Sequence, residues 1–143
     1  MTDWPQRALT ELRGAGYRAG AARRAVLDVL AEESCCLTAQ EIFDRLRESG
    51  RPVGIASVYR ALDLLVERRL AQRVDVGSGI ARYEAAHGEA HHHHLVCGDC
   101  GKVEAFSDES LERAINGVTA RIGYTIAAHD VVLHGACGEC RPV

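Results

Sequence analysis

No apolar run in this 143-residue chain approaches the ~20 residues a helix needs to cross a bilayer, which excludes a membrane-spanning helix. The first residues, Met1 to Pro5, lack both the basic start and the apolar stretch of a secretory signal, so the chain is expected to be cytoplasmic. Thiols stay reduced in that compartment, so its six cysteines point to metal ligation over disulfides. Internal repeats and low-complexity tracts are missing apart from one short histidine run. The formal net charge is only −3, which by itself argues against nonspecific binding to nucleic acid. Lysine is nearly absent: Lys102 is the sole one among 17 basic residues. Arginine supplies the rest, and its planar fork suits phosphate and guanine. With 47% hydrophobic and 26% charged residues the chain is globular, and its length suffices for one ordinary domain or two small ones.

Charge divides along the chain. Residues 1–85 carry 13 basic and 12 acidic groups, residues 86–143 carry 4 and 8, so any DNA contact is expected in the first part. There, residues 7–14 read as a short helix ended by Gly14 and Gly16. Val26, Leu27, Val29 and Leu30 follow helical spacing from Arg23. Thr38-Ala39-Gln40-Glu41 is a capping box opening a helix with Ile42, Phe43 and Leu46 inward. Residues 55–70 form a further helix, with Val58, Leu62, Leu65 and Val66 on its apolar side. Ala71–Val76 and Ile80–Ala85, joined by Gly77-Ser78-Gly79, predict a hairpin. Helices followed by a hairpin make a winged helix-turn-helix pattern, and the plain alternative is a small α+β domain with no DNA role.

Residues 86–90 read as a linker. After it come strands around His94–Cys97 and Lys102–Phe106. A helix over 108–122 follows, capped by Ser107, with Leu111, Ala114, Ile115, Val118 and Ile122 inward. Extended structure returns over Tyr124–Gly135. The domains expected are therefore 1–85, a hinge over 86–90, and 91–143.

Two Cys-x-x-Cys pairs, Cys97/Cys100 and Cys137/Cys140, are the strongest chemical signal. Each pair places two thiolates on one tetrahedral ion, and together they complete a closed, structural zinc site. Thirty-six residues lie between the pairs, so one ion would tie the start of the second domain to its last residues. For a half this small such a staple matters. Free thiols are the alternative. The run His91-His92-His93-His94 precedes the first pair. If extended, it points His91 and His93 one way and His92 and His94 the other, feeding two separate sites. Partners are available in Glu84, Glu112, His129, His87, His134, Cys35 and Cys36, and spacing alone leaves their assignment open.

At residues 9–140 the chain resembles the ferric uptake regulator (Fur) family of bacterial metal-responsive repressors. The resemblance is carried by Gly54-Ile55-Ala56-Ser57-Val58-Tyr59-Arg60, by Tyr83-Glu84, by the histidine-rich block running into Leu95-Val96-Cys97 and Cys100-Gly101-Lys102, and by the closing cysteine pair with Gly135. It implies a winged-helix DNA-binding domain followed by a small α/β dimerisation domain, acting as a homodimer on double-stranded operator DNA. It also implies three metal sites: a structural zinc on Cys97, Cys100, Cys137 and Cys140; a dimerisation-domain site of His91, His93, Glu112 and His129; and a hinge sensing site of Cys36, Glu84, His92 and His94. Arg18, Arg23, Ser57, Tyr59 and Arg60 would face DNA. The family often has histidine where this chain has Cys36. A thiolate is softer than imidazole and favours tetrahedral zinc over ferrous iron; read blandly, Cys36 is a small buried hydrophobe. The post-wing cysteine of many zinc-uptake regulators is absent, its place taken by Ala86 with His87 next to it. Peroxide sensors have Asp where Ala105 stands. The family's usual Thr-Pro-Gln-Arg is here Gly20-Ala21-Ala22-Arg23.

The resemblance thus implies a metal-dependent repressor, of the zinc-uptake type, controlling metal-uptake genes, with no enzymatic activity, membrane partner or small-molecule substrate. Ferrous iron is the alternative regulatory ion. A metalloenzyme or a zinc-buffering protein is the reading from another class; an enzyme would need an open metal position with a nearby base.

Overall fold

The computed structural model describes residues 3–86 and 92–141, and its backbone divides into two compact units, Met1–Ala90 and His91–Val143. The linker expected over 86–90 falls, beyond Ala86, outside the described residues, as does His91. No described helix is long and apolar enough to cross a membrane.

The first unit begins with α1 (Trp4–Gly14), three residues earlier than its apolar spacing predicts. Asp3 accepts from the backbone N–H of Gln6, and Pro5 sits in the first turn, where its missing N–H leaves no helical bond unmade. Helix α2 (Ala21–Glu32) starts from Gly20 with no side-chain cap. A two-residue strand, β1 (Leu37–Thr38), runs straight into α3 (Ala39–Glu48). The junction is the capping box: Thr38 Oγ1 accepts from Glu41 N–H at 3.1 Å, and Glu41 Oε1 accepts from Thr38 N–H at 3.0 Å. Helix α4 (Ile55–Glu67) buries Val58, Ala61, Leu62 and Leu65, an i, i+3, i+4, i+7 stripe, together with Leu64. Leu12, Leu27, Leu30, Ile42, Leu46, Leu62 and Leu65 meet in one apolar core.

Strands β2 (Ala71–Val74) and β3 (Arg82–Ala85) form the wing, each two residues shorter than the alternation predicts. Asp75 turns back to accept from Gly77 N–H at 2.8 Å, and Gly77 and Gly79 both take positive φ, so the chain leaves the ladder early. The sheet order is β1-β3-β2, with Leu37 opposite Tyr83 and Gln72 opposite Glu84.

The second unit holds β4 (His93–Cys97), β5 (Val103–Phe106), α5 (Glu109–Ile122) and β6 (Val132–Gly135). The order is β5-β4-β6, antiparallel on one side and parallel on the other. A parallel neighbour requires a crossover, which α5 provides. Its N-cap is Asp108, not the expected Ser107: Asp108 is extended, and its carboxylate accepts from Leu111 N–H at 2.9 Å. Of the extended segment expected over 124–135, only Val132–Gly135 pairs, because β4 offers ladder partners to those residues alone. The face of α5 expected to point inward is not buried: Leu111 and Ile115 are half-buried, while Ala114, Val118 and Ile122 are exposed. The α+β class and the winged-helix arrangement are as the sequence predicts.

Since the capping box joins β1 to α3, Thr38→Ala is expected to cost about 1 kcal/mol in urea unfolding. An unchanged midpoint would mean the junction is held by the β1–β3 pairing alone.

Candidate metal centres and nucleic-acid face

Strand β4 ends at Cys97, and the parallel register sets Cys97 beside Gly135. Gly98 N–H donates to Gly135 O at 2.8 Å, locking the two chain exits together. The turn after β4 closes through Gly101, whose φ of 79° only glycine adopts freely and whose N–H returns to Cys97 O. The turn after β6 brings Cys140 N–H to Cys137 O at 3.1 Å. As a result the sulfurs of Cys97, Cys100, Cys137 and Cys140 all lie within 4.8 Å of one another, Cys100 and Cys137 at 3.9 Å. A tetrahedral ion with Zn–S bonds of about 2.3 Å has S···S edges of about 3.8 Å, so the donor set fits zinc. Cys97 is the readiest thiolate, lowered to about 6 by hydrogen bonds from the backbone N–H of Cys137, at 3.3 Å, and of Cys100. Hydrogen bonding with Cys137 and then Cys97, together with burial, pushes Cys140 up to about 12. One cation would replace this uneven sharing of protons.

A second group assembles on one face of β4. His93 is buried, its Nε2 2.5 Å from Glu112 Oε1, and His129 Nε2 is 2.8 Å from Glu112 Oε2. Val131 N–H donates to His93 Nδ1 at 3.2 Å, which fixes the ring with Nε2 toward the carboxylate. Phe106 packs against the same ring. The hydrogen bond from His93, and then that from His129, hold Glu112 below the usual carboxylate range. Two imidazoles converging on an ionised carboxylate form a site for a borderline divalent cation. His91, the fourth residue of this expected set, lies outside the described residues.

The residues of the expected hinge site divide between the units. In the second, His92 and His94 meet edge to face with ring centroids 5.2 Å apart, as strand alternation on either side of His93 requires. In the first, extending the β1–β3 register by one residue sets Cys36 opposite Glu84. Cys36 and Glu84 are both buried, and Gln72, across the wing, donates to the Glu84 carboxylate. Hydrogen bonding to Cys35, then burial, raises the Cys36 thiol. Cys35 Sγ is 3.7 Å from Cys36 Sγ, and the Cys35, Cys36 and Glu84 donor atoms lie within 4.8 Å of one another. Sequence reasoning missed Gln72; the wing register would have found it. His134, another possible ligand by sequence, is exposed on β6 and joins none of these groups.

Four of the five expected DNA residues, Arg18, Arg23, Ser57 and Arg60, line one shallow groove between the α2 entry and α4. Arg23 Nη1 donates to Arg18 O at 2.6 Å, and Arg60 Nη2 to Ser57 Oγ at 2.9 Å, so two guanidinium groups are held along one edge. Tyr59, the fifth, is exposed on α4 beside them.

Comparison with known proteins agrees across most of the chain. The family described as Ferric uptake regulator family matches residues 14–134. The Ferric uptake regulation protein of Shigella flexneri is 35% identical over 135 residues, 92% of this chain and 90% of the relative. That of Bacillus subtilis (strain 168) is 33% identical over 143 residues, 98% and 96% of the two chains. Among solved structures, the Vibrio cholerae ferric uptake regulator gives a TM-score of 0.80 at 31% identity, covering 90% of this chain and 98% of that one. The Helicobacter pylori ferric uptake regulator, described as revealing three functional metal binding sites, gives 0.83 at 28% identity, covering 96% and 91%.

The four-cysteine geometry predicts that purified protein keeps about one zinc per chain through dialysis against a chelator, and that Cys97→Ser loses it. Metal analysis by mass spectrometry checks this; a Cys97→Ser chain that retains its zinc would remove Cys97 from the centre.

Proposed function

We propose that this chain, which belongs to the ferric uptake regulator family, is a metal-dependent repressor that binds operator DNA as a homodimer when its hinge site is loaded, with zinc as the regulatory ion. The family consists of transcription regulators, and the chain is not an enzyme.

The placement of Cys36 opposite Glu84 is the observation that carries the choice of zinc. A thiolate beside a carboxylate, completed by the imidazoles of His92 and His94, is a tetrahedral donor set of mixed softness, which suits zinc better than six-coordinate ferrous iron. Ferrous iron is the second reading, favoured by the relatives, which are named as ferric uptake regulators. A separate zinc on Cys97, Cys100, Cys137 and Cys140 has a structural role, since four thiolates leave no open position. The site of His91, His93, Glu112 and His129 is the third.

Regulation follows from where the hinge ligands lie along the chain. Cys36 and Glu84 belong to the DNA-binding domain (1–85), His92 and His94 to the dimerisation domain (91–143), and residues 86–90 form the hinge. Ligation that spans both domains favours one orientation of them and shifts the population toward it. In a homodimer that orientation sets the spacing of two α4 helices, which must match half-sites one helical turn apart or a multiple. The groove holding Arg18, Arg23, Ser57 and Arg60 supplies phosphate and base contacts, and Tyr59 an apolar contact to a thymine methyl. The uncovered apolar face of α5, with Val118 and Ile122 exposed, supports a second copy as its cover. The regulated genes are those of metal uptake.

Fluorescence anisotropy on an operator fragment tests the reading, using protein stripped of labile metal and titrated with zinc or with anaerobic ferrous iron. Zinc is expected to restore tight binding, and Cys36→Ser to weaken it at least about tenfold, or ~1.4 kcal/mol, at matched free zinc while the dimer persists. Restoration by ferrous iron alone would make this an iron regulator. Separately, Val118→Asp should raise the dimer dissociation constant by at least about tenfold in sedimentation equilibrium, because a buried unpaired charge is costly; a variant that stays dimeric would place the interface elsewhere.

A further inference from the structure

We propose that Cys35 is a second thiolate ligand of the hinge ion, so that the DNA-binding domain presents it with two sulfurs and a carboxylate. This rests on the hinge-site reading above and changes its chemistry.

Adjacent side chains of an extended chain point to opposite faces. Cys35 and Cys36 escape that rule because Ser34 and Cys35 form a bend between α2 and β1, and strand pairing begins only at Leu37. Both ends of this connection are pinned: Glu33 pairs with Arg45 of α3, and Leu37 pairs with Tyr83. The bend turns both sulfurs the same way, to a separation of 3.7 Å. That matches the S···S edge of about 3.8 Å that a tetrahedral zinc with Zn–S bonds of about 2.3 Å requires. The Cys35, Cys36 and Glu84 donor atoms fall within 4.8 Å of one another. The edge nearly equals the 3.9 Å between Cys100 and Cys137 in the four-cysteine centre.

Three donors from one domain leave a tetrahedral ion a single open position. One imidazole of the His92/His94 pair then closes the site. Two thiolates also move the preference further toward soft and borderline ions, zinc and cadmium, and away from ferrous iron.

Cobalt(II) is the probe, because its thiolate-to-metal charge-transfer absorption reports sulfur ligands directly. The four-cysteine centre is first kept filled with zinc, so that any sulfur seen belongs to the hinge. In the full-length chain, Cys35→Ser and Cys36→Ser should each remove about half of the band, and the double variant all of it, as for two equivalent sulfurs. A full band in Cys35→Ser with none in Cys36→Ser would overturn the role of Cys35 and leave the hinge site intact. A full band in every variant would overturn the hinge-site reading too. X-ray absorption at the cobalt edge avoids the Cys35 and Cys36 variants altogether. In a Glu112→Ala chain, where the third site is disabled, two sulfurs per cobalt are expected, and one would refute the proposal.

Discussion

Strand β4 has a neighbour on each edge, and the alternation this imposes sorts the histidines. His93 faces Glu112 and His129, while His92 and His94, on either side of it, meet each other. At the far end of the same strand, Cys97 begins the thiolate cluster. A slip of one residue against β5 or β6 would exchange the faces and separate Cys97 from Gly135. The ladder on both sides therefore holds more than a sheet: it decides which histidine faces which group of donors.

In the first unit the corresponding constraint is the short pairing of β1 with β3. Its two residue pairs suffice to set Cys36 opposite Glu84, because the capping box holds Thr38 in place from the other side. Glu41 serves both arrangements, accepting from Thr38 N–H and also from Arg82 Nη1 at 3.3 Å. Glu84 lies on the wing itself, hydrogen-bonded across the hairpin to Gln72. Were Glu84 to ligate the proposed hinge ion, the change would act directly on the wing, with no intervening chain.

The features with local chemical signatures were legible in the sequence. Thr38 and Glu41 carry a capping box in four residues; Gly77 and Gly79 mark the wing turn; the cysteine spacing names its own geometry. What could not be read depends on partners distant in the chain. Two residues of β1 have no period to detect. Asp108 displaces Ser107 as cap because backbone conformation, not residue type alone, decides which side chain reaches Leu111. The apolar stripe of α5 was legible, but periodicity says only that a face is apolar, not that the same chain covers it. The bend that turns Cys35 beside Cys36 has no signature in the residues around it.

The 36 residues between the cysteine pairs also impose an order in time. At about 5–20 residues per second, Cys97 and Cys100 leave the ribosome roughly 2 to 7 s before Cys137 does. Every residue of the apolar core in the first unit, from Trp4 to Ala85, has been made before the first of these thiols appears. The winged-helix half can therefore fold during synthesis, before the four-cysteine cluster can form. The second half, whose described residues bury little besides Cys97, His93 and His94, has to wait for its last strand and the cysteines that follow it. Maturation of each new chain thus has two stages, and only the later one brings the four cysteines together.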